Sequence, residues 1–173
     1  MAEQKRGKSR GRHRGDRKER DDEFDQKMID VARVTRVMAG GKRMNFRACV
    51  VVGDRKGRVG MGLKKGADVS LAINKAVTAA KKNLVAVTIV NDSVPCRVVQ
   101  KFGAAVVMLK PAPAGSGVIA GGAVRAVLEL AGVKNVVSKM LGSKNKVNNV
   151  MATLRAFAQL NEIAKTRKLK SIK

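Results

Sequence analysis

Apolar and polar residues alternate between positions 32 and 66, as they do in half-buried β-strands. The pair Gly40 and Gly41 and the glycine-flanked run 53–57 interrupt this alternation, and such breaks mark turns. The pattern therefore predicts three strands, at about 29–38, 45–53 and 57–63. The positions expected to face a core are Val34, Val37, Ala48, Val50, Val52, Val59 and Met61.

A helical period follows the third predicted strand. Asp68 precedes it as an expected N-cap residue, whose carboxylate would accept hydrogen bonds from free N–H groups of the first turn. Lys75 and Lys82 lie on the face opposite the apolar stripe. From the sequence, an ordinary solvated surface and a phosphate-binding surface are equally good interpretations of this pair. Three strands and a helix within about 60 residues are the layout of a double-stranded-RNA-binding domain. The apolar stripe consists of Val69, Ile73, Ala76, Val77, Ala80 and Leu84.

A second unit begins near residue 92, where a turn cluster interrupts the pattern. Two strand-like runs surround Gly103, and a helix over about 123–130 ends at Gly132, a typical C-cap residue. A strand over 133–141 and an amphipathic helix over about 147–162 follow. The expected division is a basic and then acidic tail (1–27), two domains (28–91 and 92–162) and a basic C-terminal tail (163–173).

Positive charge dominates the chain, which has 37 Lys and Arg, 13 Asp and Glu and a net charge of +24. A field of this sign attracts nucleic acid or an anionic membrane more readily than a small metabolite. With four Phe and neither Trp nor Tyr, the chain lacks aromatic platforms for stacking single strands, which favours folded RNA. The expected RNA-binding residues are Arg33, Arg36, Gly40, Gly41, Lys42, Arg43, Arg47, Arg55, Lys56, Arg58, Lys64 and Lys65.

The sequence gives little support for a metal site, a catalytic site, a dinucleotide-binding site or a membrane-spanning segment. Cys49 and Cys96 have no metal-ligand spacing and are expected to be buried free thiols, and His13 is the single histidine. The run Gly115-x-Gly117-x-x-Ala120 fits a dinucleotide fingerprint, but no acidic residue follows at about 20 positions for a ribose. No apolar run approaches the roughly 20 residues of a bilayer span. We therefore expect a soluble cytoplasmic protein without catalytic residues, metal, cofactor, small-molecule substrate or membrane partner.

Three longer runs resemble the S-five family of bacterial small-subunit ribosomal proteins. They are VVGDRKGRVGMG (51–62), AINKAVTAAKKNL (72–84) and GSGVIAGGAVRAVLELAGVKNV (115–136), and the resemblance spans about 28–160. It implies an α+β fold of two domains: an N-terminal β-β-β-α domain like those that bind double-stranded RNA, and a C-terminal α/β sheet backed by two helices. It also implies a structural role in the small subunit, binding rRNA where body, platform and head meet.

The resemblance further implies particular contacts. The loop 38–43 would reach rRNA of the head near the spectinomycin pocket. Gly115, Gly117 and Arg125 would face ribosomal protein S-four, a contact associated with decoding accuracy, although from the sequence alone Arg125 fits a partner contact and a plain exposed face equally. S-eight and mRNA near its entry path would be further partners. The basic N-terminus and the DDEFD segment depart from the family pattern, so their contacts are not implied.

Two other functions remain open at this point. The first is a free double-stranded-RNA-binding or RNA-remodelling protein of similar fold, and the second is a nucleotide-dependent enzyme. Co-sedimentation with ribosomes separates the first from a ribosomal role, and nucleotide binding would be required for the second.

Overall fold

The computed structural model describes the backbone of residues 23–171 and the side chains of residues 23–166. The interpretations of the basic N-terminal tail, of His13 and of the first part of the acidic segment therefore lie outside the described residues.

The N-terminal domain is an antiparallel sheet of strand order β1-β2-β3-β4 with one helix packed on it. The three predicted strands are confirmed, and β1 starts earlier than expected because Asp25 still pairs with Gly53 of β2. Its elements are β1 (Asp25–Met38), β2 (Gly41–Gly53), β3 (Arg58–Gly66), α1 (Val69–Lys82) and β4 (Leu84–Ala86).

The C-terminal domain is a mixed sheet of order β5-β6-β8-β7, in which β7 and β8 pair in parallel and the other neighbours are antiparallel. Two helices accompany this sheet, so the predicted α+β class is confirmed. The first of them ends at Gly132, which adopts the expected left-handed conformation (φ 85°). The elements are β5 (Val98–Phe102), β6 (Ala105–Pro111), β7 (Val118–Ile119), α2 (Gly122–Ala131), β8 (Val136–Met140) and α3 (Lys146–Ser171).

Several local expectations were wrong. Val37 is 74% exposed because β1 at that point pairs only with β2 and has no layer to pack on. Asp68 is the N-cap residue of α1, but its side chain makes no capping hydrogen bond. Cys96 is half-buried, whereas Cys49 is buried as expected. The last helix continues to Ser171 instead of ending near 162, because no Gly or Pro follows to stop it.

The helix α1 lies unusually close to the sheet because β3 presents glycines to it. A Cβ atom added at Gly62 would lie 1.9 Å from the backbone oxygen of Ala76, and one at Gly60 would lie 2.5 Å from that of Ala80. The facing residues of α1 are the buried alanines 72, 76 and 80. Glycine and alanine are therefore required together, since any larger side chain would force the helix away from the sheet.

The other face of the N-terminal sheet is covered by the C-terminal domain. Val51 and Val59 belong to the same buried cluster as the apolar residues of α2 and α3. The β2–β3 turn also bonds to the end of α2, where the Arg55 N–H donates to the Leu130 oxygen (2.9 Å) and the Gly57 N–H to the Ala131 oxygen (3.0 Å). Both domains consequently share one core.

Ion pairs also link the two domains at the surface. Glu129 contacts Lys27 and joins α2 to β1, while Asp30 contacts Lys146 and joins β1 to α3. A chain with a large excess of positive charge repels itself, and these pairs reduce the repulsion where the domains meet.

We predict that Gly62→Ala destabilises the protein by about 1–3 kcal/mol, because the added methyl group overlaps backbone of α1 that cannot move aside without disturbing the packed core. Urea denaturation measures the free energy of unfolding. Gly122→Ala is the matched control, since no atom lies within 4 Å of its added Cβ and its φ is not positive. Equal stability of the two variants would contradict the close-packing argument.

Candidate nucleic-acid interface

A two-stranded arm projects beyond the N-terminal sheet. Along β2, the first residue that also pairs with β3 is Phe46, opposite Gly66. Five further residue pairs join β1 to β2 alone, from Val34 with Asn45 to Met38 with Gly41. At about 3.3 Å per residue these pairs extend about 15 Å past the sheet. We call residues 34–45 the hairpin arm.

The arm carries positive charge without an acidic partner. Arg36 and Arg43 lie directly opposite each other on adjacent strands, with Lys42 one residue away. None of these three side chains forms an ion pair with any residue that the structure describes. Like charges directly opposite one another destabilise a strand pair. An external anion that neutralises both guanidinium groups would relieve this repulsion.

Further cations lie at the base of the arm. Arg33 pairs with Phe46, while Arg47 lies opposite Lys65 and beside Lys64 in the three-strand region. The Asp30 carboxylate contacts Arg47 at 3.6 Å and Lys146 of α3 at 3.2 Å. Arg47 is thus partly neutralised by the protein.

Lys64 also lines an open groove between β3 and α1, with a volume of about 730 Å³. Lys75 and Lys82, whose role the sequence left open, line the same groove. The fold therefore brings together three lysines that are separated by up to 18 positions in the sequence. Helical spacing alone could place Lys75 and Lys82 on one face but could not place Lys64 next to them.

The remaining expected RNA-binding cations lie at the opposite end of β2 and β3. Arg55 bonds to Asp25 (Nε to Oδ2, 2.6 Å), and Arg58 bonds to Asp54 at the same distance while covering the Phe24 ring. These two arginine side chains therefore have partners within the chain, whereas the Lys56 ammonium group forms no ion pair with any described residue. RNA binding by Arg55, Lys56 and Arg58 stays a prediction. These residues lie at the end of β2 opposite the hairpin arm, so they do not form one surface with it.

Asp54 organises this turn. Its carboxylate accepts hydrogen bonds from the backbone N–H groups of Lys56 (2.8 Å) and Arg58 (2.9 Å) as well as from the Arg58 side chain. Burial raises the pKa of Asp54, but these hydrogen bonds and the guanidinium charge outweigh it and hold the pKa below its usual value. The ionised carboxylate consequently stabilises the folded turn.

The glycine-rich loop after β6 is held by Asn135, which sequence reasoning missed. The Oδ1 atom of this buried residue accepts hydrogen bonds from the N–H groups of Gly115 (3.0 Å) and Gly117 (3.2 Å). Those two N–H groups are therefore already engaged within the protein and are not available to bind a phosphate. Arg125 donates to the Val118 oxygen (2.9 Å) and braces the same loop from α2.

Cysteine and metal chemistry is not supported within the described residues. Burial raises the pKa of the Cys49 thiol to about 11, the Asp30 carboxylate adds to the rise and Arg47 opposes it, so the thiol stays protonated at neutral pH. No group of three His, Cys, Asp or Glu residues in this part of the chain is placed to hold a metal ion. None of the described helices is long and apolar enough to span a membrane.

Comparisons with known proteins agree with this architecture. Residues 24–88 match the family model described as "Ribosomal protein S5, N-terminal domain", and residues 100–170 match "Ribosomal protein S5, C-terminal domain". The chain is 49% identical over 146 residues to "Small ribosomal subunit protein uS5c" of Emiliania huxleyi, covering 83% of the chain and 92% of that relative. It is 44% identical over 151 residues to "Small ribosomal subunit protein uS5" of Thermotoga maritima, covering 87% of the chain and 85% of the relative.

Asp54→Asn should destabilise the protein at neutral pH by about 1–3 kcal/mol, because the amide cannot replace the charged acceptor of three hydrogen bonds. The pKa of Asp54 is lowered by folding, so its contribution is complete above the unfolded pKa and disappears as pH falls through the folded pKa. Urea denaturation near pH 7 and near pH 3 should therefore show a difference between variant and wild type that shrinks in acid.

Asp92→Asn is the control for this experiment, because its ion pair with Lys134 is exposed and should contribute little. A stability difference for Asp54→Asn that is the same at both pH values would show that the lowered pKa is not the source of the stabilisation.

Proposed function

We propose, from the premise that the chain belongs to the ribosomal protein S5 family, that the hairpin arm is its main rRNA-binding element. The chain is a structural constituent of the small ribosomal subunit in the cytoplasm and not an enzyme, in keeping with its family and relatives. We assign the rRNA contact and one protein contact of this role to particular surfaces of the chain.

The opposed pair Arg36 and Arg43 is the observation that carries the proposal. The two guanidinium groups share one face of the arm, and no described acidic residue neutralises them. Arginine binds phosphate through a planar fork of N–H donors, so two opposed arginines suit an RNA backbone. Because the chain has few aromatic side chains, its affinity should come from phosphate and groove contacts and not from stacking.

We also propose that the loop containing Gly115 and Gly117, with Arg125, contacts ribosomal protein S-four and thereby affects decoding accuracy. The support is that this loop is fixed in place while remaining accessible: no atom lies within 4 Å of the Cβ position at either glycine, and Ile119 is 53% exposed. Contacts with S-eight and with mRNA near its entry path are proposed from the family resemblance alone, and no described residue is assigned to them.

Replacing Arg36 and Arg43 together by Gln should weaken rRNA binding and reduce its salt dependence. Removal of one phosphate-binding cation should reduce the magnitude of the slope of log K against log salt by about 1, so the double variant should show a reduction of about 1–2. The measurement is equilibrium binding of the full-length protein to small-subunit rRNA over a series of salt concentrations. Removing the like-charge pair should leave stability unchanged or raise it slightly, so unfolding would not explain weaker binding.

Lys134→Gln is the control for the double variant, since Lys134 lies in the C-terminal domain and is ion-paired with Asp92. An unchanged salt slope in the arginine double variant would mean that the arm does not contact phosphates, and the proposal would fail.

Sedimentation of a lysate at high magnesium and low salt distinguishes a ribosomal constituent from a free RNA-binding protein. The wild-type protein should sediment with the small subunit, whereas its recovery in the ribosome-free supernatant would favour the free protein. The Arg36→Gln/Arg43→Gln variant should be depleted from small subunits relative to Lys134→Gln, because assembly requires the same rRNA contacts.

A further inference from the structure

The hairpin arm carries cations on both of its faces. Directly opposite residues of an antiparallel pair share a face, and neighbours along a strand alternate. Arg36 and Arg43 therefore lie on one face, while Lys42 lies on the other with Val37. Phe46 belongs to the face of Lys42 and packs against the core beneath α1, which identifies that face as the α1 side.

An anion bound to one face of the hairpin arm cannot neutralise the cations on its other face. A surface lying against the face of Arg36 would leave Lys42 facing solvent, and the reverse arrangement would leave the two arginines without a partner. The arm is therefore suited to a space with phosphates on two sides. Such a space is a groove or a gap between two backbones, not the outer surface of a single helix.

An uninterrupted A-form helix does not provide this space. A two-stranded ribbon fits a groove about 12 Å wide, such as the major groove of B-form DNA. The major groove of A-form RNA is too narrow and deep, and its minor groove is shallow and offers only one surface. RNA accommodates a ribbon where its helix is interrupted by a bulge, an internal loop or a junction, because the groove opens there.

The end of the arm also carries exposed apolar side chains. Val37 is 74% exposed, Met38 is 50% exposed and Met44 is 47% exposed, so three apolar side chains surround the turn. At the turn itself, Gly40 has no atom within 4 Å of its Cβ position and a φ of 86°, so the chain reverses there without a bulky side chain. Exposed apolar side chains on nucleic-acid-binding proteins contact bases or wedge between them, and the cost of separating the bases is lowest where they are already unstacked. Interrupted helices supply such bases.

We infer that the hairpin arm recognises an interruption in an RNA helix, with phosphates on both of its faces and Val37 and Met38 against unstacked bases. This inference rests on the proposed function, since it presupposes that the arm binds RNA, and it adds the class of RNA structure that the arm selects. Charge supplies general affinity, whereas the apolar tip supplies the preference for the interrupted helix.

Two RNA probes test the inference with the full-length protein. One is an uninterrupted duplex of about 16 base pairs, the span that a double-stranded-RNA-binding domain covers. The other is the same duplex with unpaired nucleotides inserted in the middle of one strand. Wild-type protein should bind the interrupted duplex about tenfold more tightly at fixed salt, because the apolar tip is then buried. Equal affinity for the two probes would overturn the inference.

Val37→Ser/Met38→Ser should remove most of that preference without changing the salt slope, because the charge of the arm stays the same. Both side chains are exposed, so these substitutions should leave the fold intact, which circular dichroism can verify. Leu141→Ser is the matched control, since Leu141 is 60% exposed but lies in the C-terminal domain, and it should keep the preference. Retention of the full preference in the tip variant would also overturn the inference.

Failure of the proposed function gives a different result. If Arg36→Gln/Arg43→Gln changes neither affinity nor salt slope for either probe, the arm does not bind RNA and both proposals fall. If that variant weakens binding to both probes while wild-type protein shows no preference, the arm binds RNA but does not recognise an interruption.

Discussion

The inner half of β2 is buried on both of its faces, and the rest of the structure depends on that strand. Ala48, Val50 and Val52 face the helix α1, while Val51 faces the core that the two domains share. A strand covered on both sides has to be apolar on both sides, and the run from Ala48 to Val52 meets this condition with small and β-branched residues. The close approach of α1 over Gly60 and Gly62 then completes the first layer.

The outer half of β2 has no layer to cover it, and for that reason it can serve as a binding arm. Residues 41–45 are paired with β1 alone, but they continue a strand whose other half is fixed in the core. The arm therefore has a defined direction before it meets a ligand, which reduces the conformational entropy cost of binding. At its other end, β2 leads into the turn that bonds to α2, so the arm and the glycine-rich loop are built on one body.

The sequence by itself determined the first three strands of the N-terminal sheet, the existence of the three helices, the concentration of charge along β1 and β2, and the family. These properties depend on residues that are close together in the chain, where alternation, helical period and glycine turns can be recognised directly. The Gly-x-Gly spacing in β3 and the alanines at every fourth position of α1 were also visible, and together they could have indicated the close packing. Their meaning became clear only when the helix was placed over the strand.

Only the tertiary structure decided which cations are available and what holds the glycine-rich loop. Arg55 and Arg58 have the same charge as Arg36 and Arg43, but Asp25 and Asp54 neutralise the first two and leave the second two unpaired among the described residues. Asn135 reaches back 18 and 20 positions to hold Gly117 and Gly115. Periodicity cannot predict such contacts, because they depend on how distant segments pack and not on which residues are neighbours in the chain.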